Sequence, residues 1–569
     1  MKMGFSDLFG EPDETGSIYL SEKLYEFKDF ELTIDAPLKI VSIDRCVFNV
    51  DRIICSCPNV YFNGIDFTGS IVFRAAHGFM ISDCTFAEGN LGSGGSIVLT
   101  RTKGAVINKC KFTKTQTTAL FLEYESEMQL TDCSFDDLES DALHLSAYSE
   151  IIVEFCSFLN IKGSAIYLVS DAYAMVSNST ISNISSVGVS VNHSRADLLK
   201  CSISYISVNG ISVSGSNSMS IENCDIHHID SSSISLNGSV AVINSNKIQE
   251  IDGNAVIMQD SSFASITNNH ISSVSYPAIA VLSMSSSKIE GNFIQKGKKA
   301  GICARFAKSA KIIRNELIDI QDVGVSVSDS TDVTIEGNSF HGCIIAGIES
   351  FNDSHVISEF NYFSNCGKSP FLCYAGGGMQ SSNNDIEGVY ESMVRFSTNG
   401  KGKFSNNKAL ECKAQYSGET SQIFLFEKND PFKSVSNDKT LSDSSIMIVE
   451  KSPDTNHELC IKCKQNPRSG FFSPCGHRIY CKECAEKAMN NNEDCELCRF
   501  PISNIVNEYE ASQDDTCTLC TEKKTKCVII PCGHTGVCYD CAYDWIKTHG
   551  TCPVCRVSKA SPKIIHDTY

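Results

Sequence analysis

From Cys84 onward a polar or thiol residue stands two places before a large apolar one at a regular beat: Cys84/Phe86, Cys110/Phe112, Cys133/Phe135, Cys156/Phe158, Ser179/Ile181, Cys201/Ile203 and Cys224/Ile226. The series runs on through Asn246/Ile248, Asn269/Ile271, Asn292/Ile294, Asn315/Leu317, Asn338/Phe340, Asn361/Phe363 and Asn384/Ile386 to Asn407, and from position 110 its steps are nearly constant. A second track of small residues keeps the same phase: Ala142, Ala165, Gly188, Gly210, Ser233, Ala255, Ala278, Gly301, Gly324 and Gly347. Each is followed by an apolar-x-apolar triplet such as Val189/Val191 or Val325/Val327. Alternation with period two in Val, Ile and Leu predicts short strands, and roughly 22 residues per beat hold about three of them, too few for the helix pair of an α-solenoid.

An all-β right-handed parallel β-helix solenoid satisfies this pattern, because each coil bonds to the next at roughly 4.8 Å and inward residues form ladders of like side chains. The Asn246 to Asn407 series is then an asparagine ladder, in which the buried amide serves the backbone of the adjacent coils. The solenoid is predicted over residues 17–427. It follows an N-terminal segment, 1–16, and first strands around Ile18, Leu20, Leu32 and Ile34 that need a cap against edge pairing. Residues 428–457 are polar and read as a linker. The repeats resemble the parallel β-helix of the carbohydrate-binding and sugar-hydrolase family, which also occurs attached to ubiquitin-ligase machinery. That resemblance implies a fold and leaves function divided between polysaccharide enzymes and protein-binding scaffolds.

The C-terminal region changes character. Cys460, Cys463, Cys475, His477, Cys481, Cys484, Cys495 and Cys498 are followed by Cys517, Cys520, Cys532, His534, Cys538, Cys541, Cys552 and Cys555 in identical spacing. Thiolate and imidazole sets of four, with no open position for water, suit structural Zn²⁺, so four ions are expected, two per module. The spacing, with Pro474-Cys475-Gly476-His477 and Pro531-Cys532-Gly533-His534, resembles the RING of inhibitor-of-apoptosis proteins over residues 458–502 and 516–558, two small zinc-bound α+β domains joined by 503–515.

That resemblance implies a cross-brace, with ligands one, two, five and six on one ion and the others on the second. It also implies a shallow apolar groove for a ubiquitin-conjugating enzyme (E2), formed by Leu519, Trp545 and Pro553, and an arginine, Arg556, that holds the ubiquitin tail. Trp545 is the only tryptophan, and a large amphipathic ring suits a contact surface. The first module has Lys462, Ala488 and Glu496 in those places, with Arg499 retained. Two charges in an apolar groove cost desolvation without an evident partner, so the second module is expected to recruit the E2. Residues 559–569 form a tail that ends apolar, as in RINGs that pair through their C-termini.

Charge and cysteine content bound the partners. Residues 457–569 hold 14 basic and 14 acidic residues, so the formal charge of −19 lies on residues 1–456. Phosphate backbones and anionic lipid carry the same sign, and neither nucleic acid nor membrane is expected as a partner. The 29 cysteines lack the dense even pairing of a disulfide scaffold, which points to a reducing cytoplasm or nucleus. Two acidic or histidine groups stand out on the solenoid, Asp136/Asp137/Glu139/Asp141 and His227/His228/Asp230, and both read as solvated turns. The expected function is that of a RING-type E3 ubiquitin ligase acting by positioning, with a protein substrate on the β-helix. The competing expectations are a carbohydrate-binding or sugar-cleaving β-helix whose RINGs serve assembly, and a non-catalytic scaffold.

Overall fold

The computed structural model describes residues 2–87, 94–418, 425–427 and 429, and a set of shorter stretches and single positions between 460 and 564. The chain divides into two units, Met1–Asn437 and Asp438–Tyr569. In the first, three strands per coil pair in parallel with the strands of the next coil, giving three sheets. Glu150–Glu154 pairs with Tyr173–Ser177, Ser157–Ile161 with Thr180–Ile184, and Ile166–Val169 with Val189–Asn192. The expected parallel β-solenoid is therefore present, and one beat of the sequence pattern is one coil.

The register places like residues over like. Phe112, Phe135 and Phe158 face each other in succession, their rings stacked at 4.6 and 4.8 Å and within 8° of parallel. Isoleucines continue the column at Ile181, Ile203 and Ile226. The small-residue track sits where the next coil approaches most closely. A side chain at Gly324 would meet Phe340 Cδ1 at 2.5 Å and the Gly347 carbonyl at 2.6 Å.

The bend before the thiol and asparagine column has one cause throughout. The preceding residue is left-handed whatever its identity: Lys109, Asp132, Phe155 and Asn178 have φ between 48 and 54°. Such a conformation costs a non-glycine residue about 1 kcal/mol or more, and the column's hydrogen bonds offset it. Asn315 shows the pattern. Its Oδ1 accepts from the Asn292 backbone N–H and Nδ2, both at 2.9 Å, and its Nδ2 donates to the Ile289 carbonyl at 2.9 Å and to Asn338 Oδ1 at 3.0 Å. Cysteines and serine do the same work more weakly: the Cys110 N–H points at Cys133 Sγ, 3.4 Å, and the Cys156 N–H at Ser179 Oγ, 3.0 Å. The ladder continues one rung beyond Asn407, whose N–H donates to Asn429 Oδ1 at 2.9 Å.

Replacing Asn315 by leucine would strand the Asn292 N–H and the Ile289 carbonyl, at about 1–3 kcal/mol each. Amide hydrogen exchange in the coils around Asn292 and Asn338 is expected to accelerate by about 100-fold, the equivalent of about 3 kcal/mol. An acceleration below about fivefold would remove the ladder's assigned role.

A second polar ladder escaped the sequence reading. Buried serines, with one threonine at its start, occupy the bend one strand earlier: the Thr102 N–H donates to Ser126 Oγ, Ser126 to Ser149, Ser216 to Ser239, Ser239 to Ser262 and Ser262 to Ser285, at 3.1–3.3 Å. The end cap also begins earlier than the apolar pattern suggested. Lys2–Gly4 pairs with the strand Leu24–Ile34, and the short helix Phe5–Phe9 lays Phe5, 2% exposed, against Phe48 and Phe9.

In the second unit, Phe471–Ser473 pairs antiparallel with Asn504–Val506, and Cys527–Ile530 with Ser561–Ile564. Both returning strands lie beyond the expected limits of 502 and 558, in the segments that the spacing assigns to linker and tail. Asn504 and Ser561 stand at equivalent places in the two copies, so the duplication includes a strand that follows the last ligand.

Candidate functional site

Cys460 and Cys463 lie on a tight turn, closed by the Cys460 N–H to the Asn466 carbonyl at 2.8 Å and the Lys464 N–H to the Cys460 carbonyl at 2.8 Å. Cys481 is the N-cap of the helix Lys482–Asn490, and Cys484 falls in its first turn. The four Sγ atoms all lie within 4.8 Å of one another, and Cys463 Sγ is 3.7 Å from Cys481 Sγ. A tetrahedral Zn²⁺ with bonds of about 2.3 Å sets its sulfurs about 3.8 Å apart, so the donor set fits zinc. These are ligands one, two, five and six, the grouping the cross-brace requires.

Their electrostatics call for a cation. Backbone N–H groups of Asn466 and Gln465 hold the Cys463 thiol down to about 6, while burial and then the neighbouring thiols push Cys484 up to about 12. Four adjacent thiolates cannot coexist without a compensating charge, which the ion supplies.

In the second module Cys517, Cys520 and Cys541, ligands one, two and six, converge within 4.8 Å. The Leu519 N–H points at Cys517 Sγ, 3.4 Å, and Cys552 is buried. Cys475, His477, Cys495, Cys498, Cys532, His534, Cys538 and Cys555 lie outside the described residues, as do Glu496, Arg499 and Arg556.

Around each ion site the described residues form a core that repeats in the two modules. Tyr480, Ala485 and Ala488 are buried with Cys460 and Cys481, and Ile529, Val537 and Ala542 with Cys517 and Cys552. Tyr480 and Val537 occupy equivalent places, as do Ala485 and Ala542, a correspondence that aligning the two copies reveals and ligand spacing alone does not.

The surfaces differ where docking is expected. Leu519 is 47% exposed, and Trp545 and Pro553 are half-buried. Trp545 begins a helical pair with Ile546, which packs on the core. In the first module the residue equivalent to Trp545 is Ala488, fully buried. Lys462, for which the sequence offered no partner, sets its ammonium 5.3 Å over the Tyr480 ring. A cation–π contact replaces the apolar floor.

The solenoid's acidic groups are tied down coil to coil. Glu139 pairs with Lys162 at 2.7 Å, Asp136 accepts from Asn160 at 2.7 Å, and Asp141 accepts from the Ser164 N–H at 2.8 Å. His228 meets Glu250 at 2.8 Å, and its Nδ1 lies 2.8 Å from that of His227. Cys84, Cys110, Cys133 and Cys156 are buried, as expected of core thiols. No helix among the described residues is long and apolar enough to cross a membrane.

Comparison with known proteins agrees with this architecture. The family described as right handed beta helix region matches residues 40–174, 164–241, 232–386 and 312–453, and the C3HC4-type RING zinc finger matches 456–505 and 513–561. E3 ubiquitin-protein ligase APD4 of Arabidopsis thaliana is 38% identical over 89 residues, 15% of this chain and 21% of that protein. Mitochondrial E3 ubiquitin protein ligase 1 of Drosophila melanogaster is 45% identical over 56 residues, 9% and 16%. E3 ubiquitin-protein ligase Mdm2 of Danio rerio is 37% identical over 59 residues, 10% and 13%. The chain thus spans about a fifth or less of the length of these relatives. Among solved structures, the A-module of the Azotobacter vinelandii mannuronan C-5 epimerase AlgE6 aligns at 13% identity with a TM-score of 0.41, covering 57% of this chain and 90% of that one.

Proposed function

The chain belongs to the right-handed β-helix family and ends in two zinc-binding RING fingers, and from this we propose that it is a RING-type E3 ubiquitin ligase, with the solenoid holding a protein substrate and the second RING docking the E2. The observation that carries the reading is the asymmetry between the fingers. Leu519 is open and Trp545 half-open in the second, whereas the first buries Ala488 and engages Lys462 with its own tyrosine. Large exposed side chains around a rigid metal-braced core are what a transient docking surface needs.

Chemistry at the fingers is positional. The zinc ions, when bound, hold the two loops and the helix in place. Leu519, Trp545 and Pro553 form the apolar seat for the E2, and Arg556 restrains the ubiquitin tail so that the thioester meets an acceptor amine in a reactive geometry. Ordering of this kind removes translational and rotational entropy from the barrier and requires no nucleophile on this chain. A reducing cytosol or nucleus suits both the zinc thiolates and the stacked free thiols of the solenoid.

Purified full-length protein, incubated with E1, ubiquitin, ATP and each member of an E2 panel, is expected to build ubiquitin conjugates with at least one E2. No conjugates with any E2, from protein that retains its zinc, would overturn the proposal.

A further inference from the structure

Most outward carboxylates of the solenoid that make ion pairs do so with lysine or arginine on their own or an adjacent coil, as in Glu127–Lys103, Asp225–Lys247 and Glu290–Arg314. Glu349 departs from that habit. Its carboxylate accepts from Ser326 Oγ at 2.5 Å and from the Tyr374 hydroxyl at 3.1 Å, and among the described residues it makes no ion pair. Burial, with the Asp322 carboxylate nearby, raises its pKa above the ordinary carboxylate value. Asp322 likewise makes no ion pair among the described residues.

The burial of the outward face here, more complete than along most of the sheet, points to a shallow depression. Cys303, Ser326, Glu349 and Leu372 occupy one outward register on four successive coils. The strand Val323–Ser328 is buried on both of its faces, whereas strands of the same sheet, such as Val189–Asn192, expose their outward residues in part. One side carries Phe351 and Tyr374, stacked at 4.9 Å and 4°. Ala300, Val323 and Ala346 form an apolar patch against which Leu372 packs. Arg305, at the rim, is exposed and lies 5.4 Å over Phe306.

We propose that this depression seats a basic side chain, the guanidinium of an arginine or the ammonium of a lysine, presented by a partner protein. The inference rests on the reading of the solenoid as the substrate-holding unit. A carboxylate already desolvated and beside a second one gains most from a cation, and an aromatic pair at the edge adds attraction for the same charge. Three further features fit: the hydroxyls of Ser326 and Tyr374 fix the carboxylate's orientation, the patch around Leu372 accommodates an aliphatic stem, and the net charge of −19 carried by residues 1–456 draws basic segments toward the surface.

Cys303 supplies the test. Among the described solenoid cysteines it alone is not buried, so its alkylation reports occupancy of the depression. The full-length protein would be alkylated slowly, with quantitation of the Cys303 peptide by mass spectrometry. Probes would be a decapeptide bearing three arginines, its lysine twin, its citrulline twin, spermidine and a neutral oligosaccharide.

The arginine and lysine peptides are expected to slow Cys303 alkylation at least about fivefold, with no protection by the citrulline peptide. Glu349→Gln should abolish that protection, measured for each variant relative to its own unliganded rate, because burial and then the Glu349 charge raise the Cys303 pKa, and loss of that charge speeds unliganded alkylation. The thermal midpoint should stay close to the parent's. Equal protection by the citrulline peptide or the oligosaccharide would overturn the proposal, as would protection that survives Glu349→Gln. Protection by spermidine but by neither basic peptide would refute the protein-partner assignment. Ubiquitin transfer without peptide binding refutes this inference alone; peptide binding without transfer by any E2 refutes the ligase reading alone.

Discussion

Stripping zinc with a strong chelator is expected to end ubiquitin transfer completely and to melt the fingers at a temperature where the solenoid remains folded. Among the described residues, the buried core of the first finger comprises Cys460, Tyr480, Cys481, Ala485 and Ala488, two of them ligands. A module this short cannot build an apolar core large enough to offset its ordering entropy, about 1–2 kcal/mol per residue. Zinc binding, worth roughly 10–16 kcal/mol in small zinc-finger peptides, supplies the difference. The solenoid has its own apolar column, running from Phe5 to Cys412, to which none of the sixteen candidate zinc donors belongs. Elemental analysis should find about four zinc atoms per chain before treatment, and two thermal transitions should separate after it. Transfer that persists once the metal falls below about one atom per chain would contradict the assignment, as would a loss of solenoid structure in step with the metal.

The second large effect concerns Trp545. Replacing it with alanine should weaken E2 binding by about 30-fold, the equivalent of about 2 kcal/mol for an aromatic anchor at a docking surface. The zinc content should be unchanged, because Trp545 is not a ligand. Arg556→Ala should act differently, lowering the rate of ubiquitin discharge from the saturated complex more than it weakens binding, as the role proposed for it on the ubiquitin tail requires. The control lies in the other finger: Lys462→Ala, which removes a contact to Tyr480 on the same module, should leave transfer within about twofold of the parent. If Lys462→Ala damages transfer more than Trp545→Ala, the roles of the two fingers are exchanged.

Much of this was legible from spacing. The regular beat of the pattern defined the coil, and the column from Cys84 through Asn407 marked one bend of it, because the asparagines there accept hydrogen bonds from one coil and donate to its neighbours. The spacing of the sixteen candidate donors was equally plain; seven of them converge in two clusters among the described residues, and the grouping of Cys460, Cys463, Cys481 and Cys484 agrees with the interleaving that the RING resemblance implied.

Other features resisted. The column from Thr102 to Ser285 went unnoticed because serine is common on every surface and turn of this chain, so its periodicity is lost in the background. The capping helix Phe5–Phe9 is five residues long, too short to show a helical period. The strand Ser561–Ile564 lies in a polar stretch, and its partner Cys527–Ile530 is distant along the chain.

The sequence by itself therefore determined the repeat, the stacking of like residues and the spacing of the candidate metal donors, because each of these is a requirement on residue type at a fixed separation along the chain. Only the tertiary structure decided that Lys462 lies over Tyr480, that Ala488 is closed off, and that Glu349 sits in a depression with Tyr374, Ser326 and Cys303. Those outcomes depend on distances between residues on different coils or loops, and on how far neighbouring side chains exclude water, quantities that no spacing along a single chain contains.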